Sequence, residues 1–175
     1  MGKILSTSFK TGSLVNNVSG KLGTPTAVNI VRTEKGNACL CDGSSSKVIL
    51  NETIVLGTVF SFECYVKVID NSFGYMALAG EEDTGSYPLT IRPDLKSLYL
   101  NNGSSYVYEE RTSLFGHNWH HLISIRNGAS VIFYVDNVPG ATQTLSTNLS
   151  QNITRLFSRL EDTMMFKGFV GNIVE

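Results

Sequence analysis

The stretch Asn118–Gly140 reads NWHHLISIRNGASVIFYVDNVPG. Two apolar, β-branched runs, Trp119 to Arg126 and Ser130 to Asp136, flank the dipeptide Asn127-Gly128. Asn-Gly between such runs is the strongest short-range signal for a β-hairpin, because both residues accept the backbone conformation a tight turn demands. Asp136-Asn137 offers a second turn and Pro139-Gly140 a third. In the second run Val131, Phe133 and Val135 share one face while Ile132 and Tyr134 share the other. A strand apolar on both faces is expected to be central and covered on both sides.

The pattern repeats on both sides of this hairpin. Upstream, VFSFECYVKV alternates Phe60, Phe62, Cys64, Val66 and Val68 with Ser61, Glu63, Tyr65 and Lys67. Period two over ten residues predicts a strand with one buried and one solvated face. Further strands are predicted at 74–80, 87–92, 97–102 and 105–110, with Asn101-Asn102-Gly103 as a hairpin turn. Toward the N-terminus, strands are predicted at Ile4–Phe9, at Ala27–Arg32 and on both sides of the Asp42-Gly43 turn in ACLCDGSSSKVIL. Toward the C-terminus, SQNITRLFSRLEDT (150–163) reads either as a strand from Thr154 or as a short helix capped by Ser150. The strand is the preferred reading. GFVGNIVE reads as a last strand running out at Glu175, a boundary that is tight or slightly truncated, or one that continues in a partner. Helical periodicity is nearly absent, so the chain is expected to be an all-β antiparallel sandwich formed as one domain over 1–175.

Composition narrows the function classes. With 42% hydrophobic and 17% charged residues the chain can build a core, and a net charge of -1 argues against nucleic acid and anionic membranes as partners. No apolar run approaches the roughly 20 residues that span a bilayer, so membrane insertion is not expected. MGKILSTSF lacks the features of a signal peptide, which predicts synthesis in a cytoplasm. Cys39, Cys41 and Cys64 are odd in number and are read as small buried apolar residues in a reducing compartment.

Four segments in order, ACLCDGSSSKVIL, FSFECYVKV, NWHHLISIRNGASVIFYVDN and FKGFVGNIVE, make the chain resemble the laminin-G-like and concanavalin-A-like lectin and glucanase domains. The resemblance covers most of the chain and implies a jelly-roll β-sandwich. Cys41 stands where that pattern usually has Phe, and Asn137 where it usually has Gly. The family holds both enzymes and binders, so the fold does not decide between them. Its glucanase branch carries acids at i, i+2 and i+4 of one strand, which places two carboxylates beside a sugar. Here Glu81-Glu82-Asp83, Glu109-Glu110 and Glu161-Asp162 are adjacent and diverge, so no catalytic role is expected. His120 and His121 beside Trp119 point to opposite strand faces, which disfavours a shared metal. Trp119 is expected in the core.

Relatives of this type carry Ca²⁺ at a sandwich rim, which implies Asp70, Glu82 and Asp83 as ligand candidates; the alternative is a solvated acidic loop. Binding a glycan requires exposed aromatic faces with polar side chains that reach hydroxyls. The candidates are Tyr75, Tyr87, Arg92, Tyr99, Asn101, Tyr106 and Tyr108, with Tyr106 and Tyr108 on one face of a strand. The alternative is that these rings pack on a neighbouring strand or on a partner subunit. The first functional expectation is therefore a non-enzymatic lectin-like module that recognises a glycan or host-surface polymer. The second is a structural component of a phage capsid or tail fibre, associated with other virion or appendage subunits or with copies of itself. A glycoside hydrolase is the third.

Overall fold

The computed structural model describes residues 6–7, 19–21, 23–70, 74–81, 84–115, 117–158 and 165–174. In chain order its strands are β1 (Ser6–Thr7), β2 (Gly23–Thr26), β3 (Asn29–Thr33), β4 (Gly36–Asp42), β5 (Lys47–Gly57), β6 (Val59–Val68), β7 (Met76–Gly80) and β8 (Tyr87–Arg92). They continue as β9 (Ser97–Asn101), β10 (Tyr106–Glu110), β11 (His120–Asn127), β12 (Ser130–Val135), β13 (Val138–Pro139), β14 (Gln143–Thr144), β15 (Gln151–Leu156) and β16 (Lys167–Val174). Among the described residues there is no α-helix; two 3-10 turns cover Pro93–Leu95 and Thr112–Phe115.

The strands form two antiparallel sheets packed as a sandwich. Sheet one runs β13-β12-β11-β6-β16-β4-β3, with β1 on β16 and β14 on β12. Sheet two runs β10-β9-β8-β7-β15-β5-β2. The chain passes repeatedly from one sheet to the other, and its two last strands, β15 and β16, enter the middle of sheet two and sheet one respectively. Between the sheets lies the core. Phe60, Phe62, Cys64, Val66 and Val68 of β6 and Val131, Phe133 and Val135 of β12 meet Leu89, Ile91, Leu98, Leu100 and Ile153 of sheet two. All three cysteines are free and buried there, and burial pushes the Cys39 thiol up to about 12, so it stays protonated at neutral pH.

The decisive hairpin forms with a shift of one residue. Asn127 is the last residue of β11 and pairs with Ser130, so Gly128 and Ala129 make the turn, with Gly128 at φ +62°. A glycine at the first central position is the type II′ arrangement. The next turn is Asp136-Asn137, at φ +52° and +67°, between the paired Val135 and Val138. Positive φ at both central residues is the type I′ pattern, which Asp and Asn tolerate, so Asn137 fills the place of a glycine. The third turn expected at Pro139-Gly140 does not form there: Pro139 pairs with Tyr134 and Gly140 N–H donates to the Phe133 carbonyl at 2.8 Å, so the chain continues alongside β12. β12 is second from the end of its sheet rather than central, flanked outward by the short β13 and β14. Its apolar outer residues Ile132 and Tyr134 are half-buried, because a short edge strand covers them only in part.

Three further expectations are corrected. Within segment 150–163 the described residues hold a strand, Gln151–Leu156, which begins at Gln151 instead of Thr154. Its register shifts between Gln151 and Asn152 and between Ile153 and Arg155, which is why its sequence alternates poorly. The predicted strand Ala27–Arg32 forms as β3, Asn29–Thr33 of sheet one, starting two residues later because Ala27 and Val28 link it to β2 of sheet two. Trp119 is half-buried and packs on Phe169, ring centres 6.1 Å apart. Phe169 lies between buried Gly168 and Val170 on β16, so Trp119 covers the outer face of sheet one and is not in the core. Of the predicted strand Ile4–Phe9, only Ser6–Thr7 lies within the described residues, where it pairs with β16.

Candidate functional site

Three neighbouring strands at one edge of sheet two present a tyrosine cluster. Leu98 and Leu100 of β9 enter the core, so alternation sends Ser97, Tyr99 and Asn101 to the outer face. Register then places Tyr108 opposite Tyr99 and Tyr106 opposite Asn101 on β10. On the other flank Thr90 pairs with Tyr99 and Arg92 with Ser97. Tyr75, just before β7, completes the group. Tyr99 is the hub. Its ring stacks on Tyr108 at 5.3 Å and 17°, meets Tyr75 edge-on at 5.2 Å and 73°, and lies 6.2 Å from Tyr106. Tyr99 is 4% exposed beneath this cover, whereas Tyr106 and Tyr108 are 60% and 49% exposed. Burial raises the Tyr99 phenol above its ordinary value, so it stays neutral.

Tyr75, Arg92, Leu95, Ser97, Tyr99, Tyr106, Tyr108 and Glu110 enclose a hollow of about 280 Å³. Arg92 is fixed from two sides. Its Nε and Nη2 donate to the two carboxylate oxygens of Asp94 at 3.0 and 3.2 Å. Its Nη1 donates to the Tyr75 hydroxyl at 3.0 Å, and the guanidinium lies 4.5 Å from the centre of that ring. The bond to Asp94 raises the guanidinium above its ordinary value, so its charge is permanent. Chemically the hollow offers exposed ring faces, a positioned guanidinium and one carboxylate, that of Glu110.

Five of the seven predicted contact residues, Tyr75, Arg92, Tyr99, Tyr106 and Tyr108, thus line one hollow. Tyr87 and Asn101 do not line it. Tyr87 is buried, and Asn101 is spent on local bonds: its Nδ2 donates to the Tyr87 hydroxyl at 3.4 Å and its Oδ1 accepts from Gly103 N–H at 2.7 Å. Three lining residues were missed. Ser97 and Glu110 were reachable by alternation from Tyr99 and Tyr108; Leu95 sits in a 3-10 turn and carried no signal.

Of the three calcium candidates only Asp70 lies within the described residues. Asp70 accepts from Lys167 Nζ at 2.8 Å, while Glu82 and Asp83 lie outside the described residues. The neighbouring Glu81 accepts from Asn152 Nδ2 at 2.8 Å and from the Thr84 hydroxyl. A carboxylate held by an ammonium is a poor fit for a Ca²⁺ ligand, which needs several free oxygens. The histidines divide as the strand geometry requires. His120 Nδ1 bonds Asp136 Oδ2 at 2.7 Å on one side, and His121 stacks on Tyr65 and bonds Glu63 Oε1 at 2.9 Å on the other.

No family model matches the sequence, and no curated protein sequence matches it. Solved structures do resemble the fold. The fourth domain of an extracellular arabinanase from Geobacillus stearothermophilus, in complex with arabinotriose, is similar with a TM-score of 0.74 at 17% identity, over 98% of this chain and 90% of that one. The binding domain of botulinum neurotoxin serotype D is similar with a TM-score of 0.67 at 17% identity, over 98% of this chain and 47% of that one. A carbohydrate binding module from Bacillus subtilis is similar with a TM-score of 0.52 at 14% identity, over 86% of this chain and 91% of that one. At these identities the likeness establishes the antiparallel β-sandwich and nothing finer.

Proposed function

We propose that the protein is a non-catalytic glycan-binding module and that the tyrosine hollow on sheet two is its contact site. The observation that carries this reading is the pair Tyr106 and Tyr108, 60% and 49% exposed above a buried Tyr99. Exposed aromatic rings cost little when they receive the apolar face of a sugar ring, and stacking on Tyr99 fixes the geometry of Tyr108 in advance, while Tyr106 lies tilted against the same ring. Glu110 is positioned to accept hydroxyl protons, and Arg92 retains N–H donors beyond those used on Asp94 and Tyr75. Glu110 is the single carboxylate among the described residues lining the hollow. Two-carboxylate glycoside hydrolysis needs a facing partner, which supports binding without cleavage. Similar folds holding arabinotriose, or described as a carbohydrate binding module, add weight to the glycan reading.

The test is calorimetric titration against purified arabinan, xylan, mannan and β-glucan. At least one is expected to bind. Tyr106→Ala and Tyr108→Ala are each expected to weaken that binding by ~1–2 kcal/mol. Neither should shift the urea midpoint much, since both rings are exposed. Binding that survives both substitutions would remove the hollow from consideration.

A further inference from the structure

A second hollow, of about 570 Å³, lies on the far side of the same tyrosine ridge. It is lined by Tyr106, Val107, Tyr108, Glu109 and Glu110 of β10 and by Gln143 and Thr144 of β14. Tyr106, Tyr108 and Glu110 therefore wall both hollows. The first hollow, at about 280 Å³, falls just below the roughly 300–1,000 Å³ of sites that enclose a compact ligand. The second is within that range but broad. β10 is the last strand of sheet two, and β14 belongs to sheet one, so the two hollows form a continuous track over the rim where the sheets meet.

The charges along this track are already matched, with one exception. Arg92 is held by Asp94, and Arg111 Nη2 meets Glu109 Oε1 at 2.9 Å. Glu110 lies between the hollows, exposed, and contributes to both. Along the lining an anionic sugar would thus meet the Glu109 and Glu110 carboxylates and one guanidinium, that of Arg92, which already has an acidic partner. It would lose hydration without gaining a new ion pair.

We infer that the site takes an extended, uncharged glycan chain laid across the Tyr106–Tyr108 ridge, with the second hollow holding the units beyond the first. This rests on the glycan-binding reading above and gives it a chain length, a direction and a charge preference. Gln143 and Thr144 would contact only the distal units, which makes the two hollows separable.

The experiment uses the full chain and size-graded arabino-, xylo-, manno- and gluco-oligosaccharides, with polygalacturonate and polysialic acid as charged probes. Affinity for the recognised neutral series is expected to rise at least about tenfold, ~1.4 kcal/mol, between the shortest bound oligomer and one about four units longer. The double variant Gln143→Ala, Thr144→Ala is expected to remove that rise while leaving the shortest oligomer's affinity unchanged. Charged polymers are expected to bind more weakly than neutral ones, and Glu110→Gln to narrow the difference. Affinity independent of length, or an equal loss at every length in the double variant, would overturn the extended track. Tighter binding of a charged polymer by the unaltered protein would overturn the charge preference. Silence from every probe would instead overturn glycan binding itself, and this inference with it.

Discussion

Asp136 occupies the first central position of the β12–β13 turn, and its carboxylate reaches back to the start of β11. It accepts from His120 Nδ1 at 2.7 Å and from His121 N–H at 2.8 Å. Partial burial alone would raise this carboxyl, but the His121 N–H, the His120 ring and the two imidazoles outweigh it and hold it below its ordinary value of 3.8. The Trp-His-His and Asp-Asn parts of the motif are therefore one clasp that pins the open end of the hairpin. A carboxyl lowered on folding stabilises fully above its unfolded value, and the contribution is lost as pH falls through the folded value. Asp136→Asn is thus expected to cost ~1–2 kcal/mol near neutral pH, discounted for the half-exposed side chain. That deficit should shrink as pH is lowered below 3.8, read as converging urea midpoints of the two proteins. A deficit unchanged in acid would assign the effect to packing. Asp42 is built on the same principle: its Oδ1 accepts from the N–H groups of Ser44, Ser45 and Ser46 at 2.8–3.0 Å and Oδ2 from the Ser45 hydroxyl at 2.6 Å. Burial pushes its carboxyl up, but these bonds together bring it well below the usual carboxylate range. Both aspartates were legible as turn residues. Their partners were not, because contacts such as that of Asp136 with His120 are set by hairpin register rather than by neighbouring sequence.

At the scale of elements, β16 carries the narrowest tolerance. It runs between β6 and β4, and Gly168 pairs with Val68 on one side and Cys41 on the other. Gly168 has φ +147°, and a Cβ there would lie 2.2 Å from the Lys67 carbonyl oxygen. Neither strand can retreat without breaking a ladder through the centre of sheet one. Gly168→Ala is therefore expected to destabilise by more than ~3 kcal/mol, through strain and a backbone clash together. The check is chemical denaturation, or failure to recover folded protein at all; a loss under about 1 kcal/mol would mean that the strand can shift. The two sheets also differ in how far their sequences disclose them. β11 pairs with both β6 and β12 without a register shift, and the alternation of these three strands is clean; sheet one is shifted between Val170 and Ile173, where β16 meets β6. In sheet two, shifts fall between Ala77 and Ala79, between Tyr87 and Thr90 and twice along β15. Each bulge moves the following side chains to the other face, so period-two reading fails there for a physical reason.

Across the whole molecule the two sheets are joined by more than apolar contact. Arg126 of β11 is fully buried. Its Nε donates to the Gly128 carbonyl, Nη1 to Gln151 Oε1 of sheet two and Nη2 to Asn148 Oδ1, at 2.9 to 3.1 Å. Gln151 in turn donates to the Asn101 carbonyl at 2.8 Å and the Ser86 hydroxyl at 3.2 Å, which ties the network to β9 beside the tyrosine cluster. Desolvation lowers the guanidinium from its ordinary value, since its acceptors are neutral. Arg126→Ala is expected to cost ~3–5 kcal/mol, because it leaves buried amide groups unsatisfied and opens a void. Equilibrium unfolding measures this; a cost below about 1 kcal/mol would mean that water already reaches the site. The sequence by itself determined the all-β class, the long strands β4, β6, β11, β12 and β16 of sheet one, the Asp42-Gly43 and Asp136-Asn137 turns and the buried cysteines, because period-two alternation and positive-φ residues are local properties. It also singled out Tyr106 and Tyr108 as sharing a face, for the same reason. Tertiary structure decided that Tyr75 and Arg92 join them around a buried Tyr99, that Tyr87 and Asn101 stand aside, and that Trp119 lies outside the core. Those outcomes depend on strand order and register between segments far apart in the chain, and no local pattern encodes either.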